Sequence, residues 1–321
     1  MIAVPVNTDQ QASPSILVIG AGAVGSFLAA ALARTGRKVT LVARGERLEQ
    51  LRRGGILLGG GCASTYMSVS AADWGEVDSA PGLVILCVKS FAVKGVLDRL
   101  ASKLGTDSTI LTLQNGIDAP GEVARRCPQV TVVAGRLHGF FVLDGAQVRH
   151  IGVAPSICYG LVHGLDDGGP AQVGAVLTEA GIAAEASSDI ERDLWEKFVL
   201  AAALGGVGAA LDIPAGKLLS DPIGCRLLHA ALRELVLLAT HKGIALSADF
   251  VARTLALIAT FPADATTSLQ RDFERGGPSE YRALAGAALR MGEETRLGLP
   301  ALRRIEDLML RRGLDLTNVI G

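Results

Sequence analysis

Six residues near the start of the chain, Gly20-Ala21-Gly22-Ala23-Val24-Gly25, constrain the fold more than any others. They follow a short aliphatic run, Ile16 to Ile19, and lead into an Ala/Leu-rich stretch of helical character, Val24 to Arg34. In that strand-turn-helix setting, G-x-G-x-x-G is the fingerprint of a dinucleotide-binding turn. Gly20 permits the tight turn, Gly22 lets the backbone approach a pyrophosphate, and Gly25 allows the helix to pack close on the strand. A helix starting at Ala23 aims its unpaired N–H groups and its positive dipole end at the phosphates. Lys38 to Val42 supplies a second strand, which completes a βαβ unit within about 30 residues.

The tip of that second strand discriminates between the two nicotinamide dinucleotides. A carboxylate there accepts from the ribose hydroxyl, whereas an arginine pairs with a 2′-phosphate. The sequence reads Leu41-Val42-Ala43-Arg44, so NADP(H) is the expected cofactor, with Arg44 on its phosphate. Arg47 is a possible helper, although a solvated helix residue is the preferred reading for it. Glu46 would reach the ribose if the strand ended slightly differently.

Farther on, Glu46 to Arg53 reads as a charged helix closed by Gly54 and Gly55. Strands are expected at Ile56 to Leu58, Thr65 to Val69, Leu83 to Val88 and Thr109 to Leu113, with helices over Phe91 to Leu104 and Gly121 to Arg126. This alternation predicts a parallel, doubly wound sheet. Phe140, Val142, Asp144-Gly145, Gln147, Val148 and His150 read as a hairpin, because Asp-Gly tolerates the positive φ of a two-residue turn; it is expected to finish the sheet as an antiparallel edge. Asp166 to Pro170 forms a polar, Gly-rich loop, and after Gly181 the pattern is helical almost to the end. The expected fold is therefore an α/β Rossmann-type doubly wound sheet followed by an all-α C-terminal domain. The division falls at 1–186 and 187–321, with 1–14 a frayed leader that has no basic n-region or long apolar stretch.

Charge and cysteine usage exclude several classes. Lys plus Arg (31) nearly balance Asp plus Glu (32), which leaves no basic stripe for nucleic acid. The five cysteines are scattered, without a C-x-x-C pair, and the histidines lack metal-ligand spacing; a reducing, cytoplasmic setting without a metal is expected. Phe198 to Leu211 is apolar but only about a dozen residues long, against ~20 for a membrane span, and reads as a buried helix. Amphipathic Leu227 to Leu238 suits either a domain core or a homodimer seam.

Candidate chemistry sits at the carboxyl ends of strands, where open α/β sheets bind ligands. Lys89 follows Val88, and Asn115 follows Gln114; taken singly, a surface lysine and an Asn-Gly turn explain them. Lys197, at the mouth of the apolar stretch, is either a snorkelling residue or a working group. Ser268 lies in Thr267-Ser268-Leu269-Gln270-Arg271-Asp272. Ser279 and Glu280 read as an N-cap and a first-turn carboxylate.

Taken together, G-x-G-x-x-G, C-V-K-S (87–90), L-Q-N-G (113–116), W-E-K (195–197), T-S-x-x-x-D (267–272) and G-x-P-S-E (276–280) resemble, in order and spacing, the ketopantoate reductase (2-dehydropantoate 2-reductase) family over nearly the whole chain. The resemblance implies NADPH-dependent reduction of a 2-keto acid, ketopantoate, in pantothenate synthesis. It implies Lys197 as the catalytic lysine, a general acid toward the developing alkoxide, and Glu280 as the carboxylate that orients the substrate hydroxyl. Asn115 and Ser268 match substrate-holding groups, and Lys89 a lysine near the nicotinamide; Asn115 also borders the cofactor. One departure stands out. The family pattern has asparagines four and eight residues after the lysine, where this chain has Ala201 and Gly205. A bulkier, more apolar 2-keto acid, another carbonyl or imine substrate on the same scaffold, and a non-enzymatic NADP(H) sensor remain as alternatives.

Overall fold

The computed structural model describes residues 15–60, 63–77, 81–164 and 168–317. The expected leader, 1–14, Cys62, and the Asp166-Asp167 part of the expected loop lie outside them. In chain order the first half contains β1 (Ile16–Ile19), α1 (Ala23–Ala33), β2 (Val39–Val42), α2 (Gly45–Gly54), β3 (Ile56–Gly60), β4 (Ala63–Met67), β5 (Ser70–Ala72) and β6 (Leu83–Leu86). It continues through α3 (Val93–Leu100), β7 (Thr109–Thr112), α4 (Ala119–Arg126), β8 (Thr131–Asp144), β9 (Gln147–His163), α5 (Gly169–Glu179) and β10 (Ala183–Ala186).

Six parallel strands, in the order β5-β2-β1-β6-β7-β8, form the doubly wound sheet. All four side chains of β1 are buried, as are those of β6 and β7, which requires layers on both faces. Alternate residues supply them. Ile16 and Val18 pack with α1 and α5, while Leu17 and Ile19 pack with α3 and α4.

The expected hairpin is present but longer, and it is not an edge. β9 runs antiparallel to β8, and its 17 residues offer enough free ladder for two short strands along its other side. There β3 pairs through 57–59 with 147–149, and β10 pairs with Ser156 to Tyr159. β4 then closes this side antiparallel to β3, so the run expected at Thr65 to Val69 belongs to a hairpin and not to the parallel series. Asp144 is the last ladder residue, facing Gln147. The turn is Gly145-Ala146, with Gly145 at φ +55°.

The second half is helical: α6 (Ile190–Leu211), α7 (Pro222–His241), α8 (Phe250–Ala259), α9 (Ser268–Glu274), α10 (Ala285–Thr295) and α11 (Pro300–Arg311). Beyond its charged first two turns α6 is apolar all round and mostly buried, as befits the central helix of a packed core and not a lipid-facing one. Asp189 caps its start by accepting from Arg192 N, and α7, α9, α10 and α11 surround it. Its glycines admit neighbours closely: a Cβ at Gly208 would lie 2.8 Å from the Gln270 side chain.

Candidate active site

The glycine turn is built as a cradle. Gly20 has φ +110°, and a Cβ there would lie 2.8 Å from Val88 N, while one at Gly25 would lie 1.9 Å from Gly20 O. At Gly22, by contrast, a Cβ would meet nothing within 4 Å. That open side is the approach a pyrophosphate needs. Gly22 is the N-cap of α1, no side chain caps the helix, and no acid occupies its first turn, so the leading N–H groups stay available to an anion. The residues present therefore fit a dinucleotide.

Arg44 ends the β2 segment as the exposed N-cap of α2. Glu46, in the first turn of α2, accepts from Gln50 Nε2. Arg47 departs from the solvated residue expected. Its guanidinium is partly buried and donates to Ala21 O (3.2 Å), Ser26 Oγ (2.9 Å) and Gly145 O (3.2 Å), and burial lowers its pKa. It ties α2, the glycine turn and the β8–β9 turn together. Nothing in the local pattern announces this, because two of its four partners, Ala21 O and Gly145 O, are backbone carbonyls.

Across the sheet edge, Lys89 meets the helical half. Its Nζ lies 3.0 Å from Asp272 Oδ2 and 3.1 Å from Glu280 Oε2, so it is not a free surface lysine. Glu280 Oε1 accepts from Ser90 N (3.1 Å) and Ser90 Oγ (2.8 Å), and Oε2 accepts also from Asn115 Nδ2 (3.2 Å). Asn115 thus serves this carboxylate. Gly116 beside it approaches the helical half so closely that a Cβ would lie 3.0 Å from Ala283 O. Glu280 is only 4% exposed and does not lie in the first turn of a long helix; it precedes a single 3-10 turn, Tyr281–Ala283. Ser279 is buried, its Oγ accepting weakly from Tyr281 N.

Burial opposes charge on each of these groups, and the neighbours decide the outcome. For Lys89 burial pulls the pKa down, but Glu280 and Asp272 outweigh it and hold it above its ordinary value. For Glu280 burial pushes up, yet Lys89 and the Ser90 donors carry it below the usual carboxylate range. For Asp272 burial wins over Lys89, and its pKa is raised.

Lys197 lies in the second turn of α6, partly buried, and among the described residues its ammonium has no hydrogen bond or ion pair. Burial lowers its pKa to about 8, with Glu280 pulling it up and Arg136 pushing it further down. Arg136, on β8, is itself held by Glu196 (3.0 Å) and Asp193 (3.8 Å). Ser268 opens α9 behind a Thr267–Gln270 capping box, one helical turn before Asp272. Its hydroxyl makes no hydrogen bond among the described residues. The structure thus joins Lys89, Asn115 and Glu280 by direct contact, sets Lys197 within electrostatic reach of Glu280, and leaves Ser268 separate. Asp272, Ser90 and Arg136 are additional members. Asp272 was visible only as the last letter of T-S-x-x-x-D.

A doubly wound nucleotide fold with an open glycine turn, facing a helical body across one polar cluster, defines a two-domain oxidoreductase of the nicotinamide-dependent class. The particular family follows from comparison. Residues 16–163 match the family model Ketopantoate reductase PanE/ApbA and residues 189–312 its C-terminal counterpart, so the chain belongs to the ketopantoate reductase family. The 2-dehydropantoate 2-reductase of Halobacterium salinarum is 28% identical over 297 residues, 92% of this chain and 97% of that protein. Among solved structures, a PanE/ApbA family ketopantoate reductase from Ralstonia eutropha JMP134 has a TM-score of 0.84 at 26% identity, covering 92% of this chain and 97% of the other. The 2-dehydropantoate 2-reductase from Methylococcus capsulatus has a TM-score of 0.81 at 28% identity, covering 95% and 98%.

Proposed function

We propose that the protein reduces a 2-keto acid of the ketopantoate type to the 2-hydroxy acid with NADPH, using Lys197 as general acid. In this reading residues 1–186 carry the cofactor and 187–321 supply the acid. Gly20, Ala21, Gly22, Ala23, Val24 and Gly25 would hold the pyrophosphate, Arg44 the 2′-phosphate, and Lys89 and Asn115 the nicotinamide end. The dihydronicotinamide, when bound, supplies the hydride. As the carbonyl carbon accepts that electron pair, the C=O π electrons move to oxygen, and Lys197 Nζ passes its proton there; the amine is then reprotonated from solvent. Asn115 and Ser268 would hold the substrate. The free state of the described cysteines suits a cytoplasmic enzyme.

The observation that carries this reading is Lys197, an ammonium with no hydrogen bond or ion pair among the described residues, within electrostatic reach of the buried Glu280 and with its pKa brought to about 8. An acid of that strength stays charged at neutral pH yet releases its proton more readily than a free lysine, which titrates near ~10.4. A panel of 2-keto acids with NADPH and NADH side by side, using Lys197→Ala as control, tests it. Turnover with NADPH and loss of about 100-fold or more in kcat for the variant are expected. Cofactor binding without turnover would instead identify a sensor.

One observation favours a second reading, reduction of a 2-keto acid that lacks the hydroxyl of ketopantoate. Among the described residues four hydrogen bonds, from Lys89, Ser90 and Asn115, fill the Glu280 carboxylate, so a substrate hydroxyl would have to displace one of them.

A further inference from the structure

We propose that Gln114 is a positioning residue: its side-chain amide holds the segment Cys87-Val88-Lys89 against the glycine turn on one side and in reach of Glu280 on the other. This rests on the roles given above to Lys89, Glu280 and Lys197. Gln114 lies two residues past β7, only 6% exposed. Its Nε2 donates to Leu86 O (2.9 Å) and Val88 O (3.1 Å), the carbonyls on either side of Cys87, just where the chain leaves β6. On the opposite side, Cys87 N donates to Ile19 O (2.8 Å), and the Cys87–Val88 peptide abuts Gly20 so tightly that a Cβ there would lie 2.9 Å from Cys87 C. The peptide is held between the turn and the amide.

The next two residues carry three of the four donors on Glu280: Lys89 Nζ, Ser90 N and Ser90 Oγ. A shift of the Val88 carbonyl would therefore move the contacts that hold this carboxylate within electrostatic reach of Lys197. Gln114 Oε1 is buried and has no partner among the described residues. A buried orphan acceptor lowers stability, and an aliphatic side chain of similar length would avoid that penalty. The amide is accounted for by its two donors. Turning it over would set Oε1 against two carbonyl oxygens, so its orientation is fixed.

Dinucleotide binding followed by NADPH fluorescence, and steady-state reduction of ketopantoate across pH, should be measured on Gln114→Met and Gln114→Glu. Methionine keeps length and removes both donors. A buried glutamic acid stays protonated above its ordinary range and restores one O–H donor. Gln114→Met is expected to weaken NADPH and NADH alike by about tenfold, the equivalent of one hydrogen bond, and to lower kcat by a similar factor with little change in keto acid KM. Its alkaline limb should move to lower pH, because Glu280 is the group that raises Lys197 against burial and Arg136. Gln114→Glu should recover part of each loss while its carboxyl stays protonated. A folded Gln114→Met with wild-type binding, kcat and pH limb would overturn the proposal. Should that variant fail to fold, Gln114→Glu compared below and above its own carboxyl titration decides, and no difference would overturn it equally. A wild-type protein that turns over no 2-keto acid would count against the proposed function, while dinucleotide affinity alone would still judge Gln114.

Discussion

At the scale of single residues, two cations carry most of the functional argument, and they differ in what their environments do to them. Lys197 is acidified by burial to about 8, so reduction should proceed at constant kcat/KM below that pH and fall about tenfold per unit above it, as the ammonium is lost. Oxidation of the hydroxy acid needs the neutral amine and should rise through the same point. Initial rates in both directions from pH 6 to 10 check the sign, and a limb near the free-lysine value would show that Lys197 is solvated. Arg44 is exposed, whereas Arg47 is committed to Ala21 O, Ser26 Oγ and Gly145 O. Arg44→Ala should therefore weaken NADPH far more than NADH. Arg47→Ala should weaken both, since it loosens the turn that either dinucleotide uses. Titration of each variant with both cofactors separates the two roles, and equal losses in Arg44→Ala would place the 2′-phosphate elsewhere.

At the scale of elements, what could be read from sequence was what periodicity and glycine spacing encode. β1, α1, β2, β6 and β7 were visible because buried strands are continuous aliphatic runs and the glycine turn punctuates them. β5 and β10 escaped because Ser70-Ala71-Ala72 and Ala183-Ala184-Glu185-Ala186 are short, with only Ala72 fully buried, and their strand character comes from pairing with β2 and β9. The place of β3 and β4 beside β9 depends on a free ladder remote in sequence. Gly205 could be read as a missing polar handle, but only the fold says why it is small. A Cβ there would already lie 3.3 Å from Leu269 Cβ and Cδ2, so α9 fills the space. Gly205→Asn should therefore destabilise by about 1–2 kcal/mol through overpacking, despite a gain in helix propensity. Ala201→Asn, at a partly exposed position one turn beyond Lys197, should stay within about 0.5 kcal/mol. Urea denaturation of the two variants is the measurement, and equal stability would mean that Leu269 yields freely.

At the scale of the whole molecule, the two halves are tied by ion pairs of unequal burial. Arg290–Asp118 spans 3.8 Å between exposed side chains, and such pairs contribute little. Lys89 instead holds Asp272 and Glu280, whose side chains are 9% and 4% exposed. Removing the cation leaves two buried carboxylates facing each other, a loss of several kcal/mol in a dry site. Because Lys89 is itself 40% exposed and water screens it, Lys89→Met should cost about 2 kcal/mol at pH 7. The dependence on pH identifies the cause. Glu280 has its pKa lowered in the fold, so its contribution is present above the ordinary carboxylate range and is lost as pH falls through that lowered value. Asp272 has its pKa raised, so its contribution has the opposite sense and is lost as pH rises through the raised value. On acidification Asp272 therefore takes its proton first. In Lys89→Met both carboxylates lose their cation, their affinity for protons increases, and the variant recovers stability on acidification that the wild type does not need. The gap in unfolding free energy between the two proteins should accordingly shrink from pH 7 to pH 5; a gap that stays constant would mean that Lys89 joins the domains by packing of its alkyl chain and not by charge.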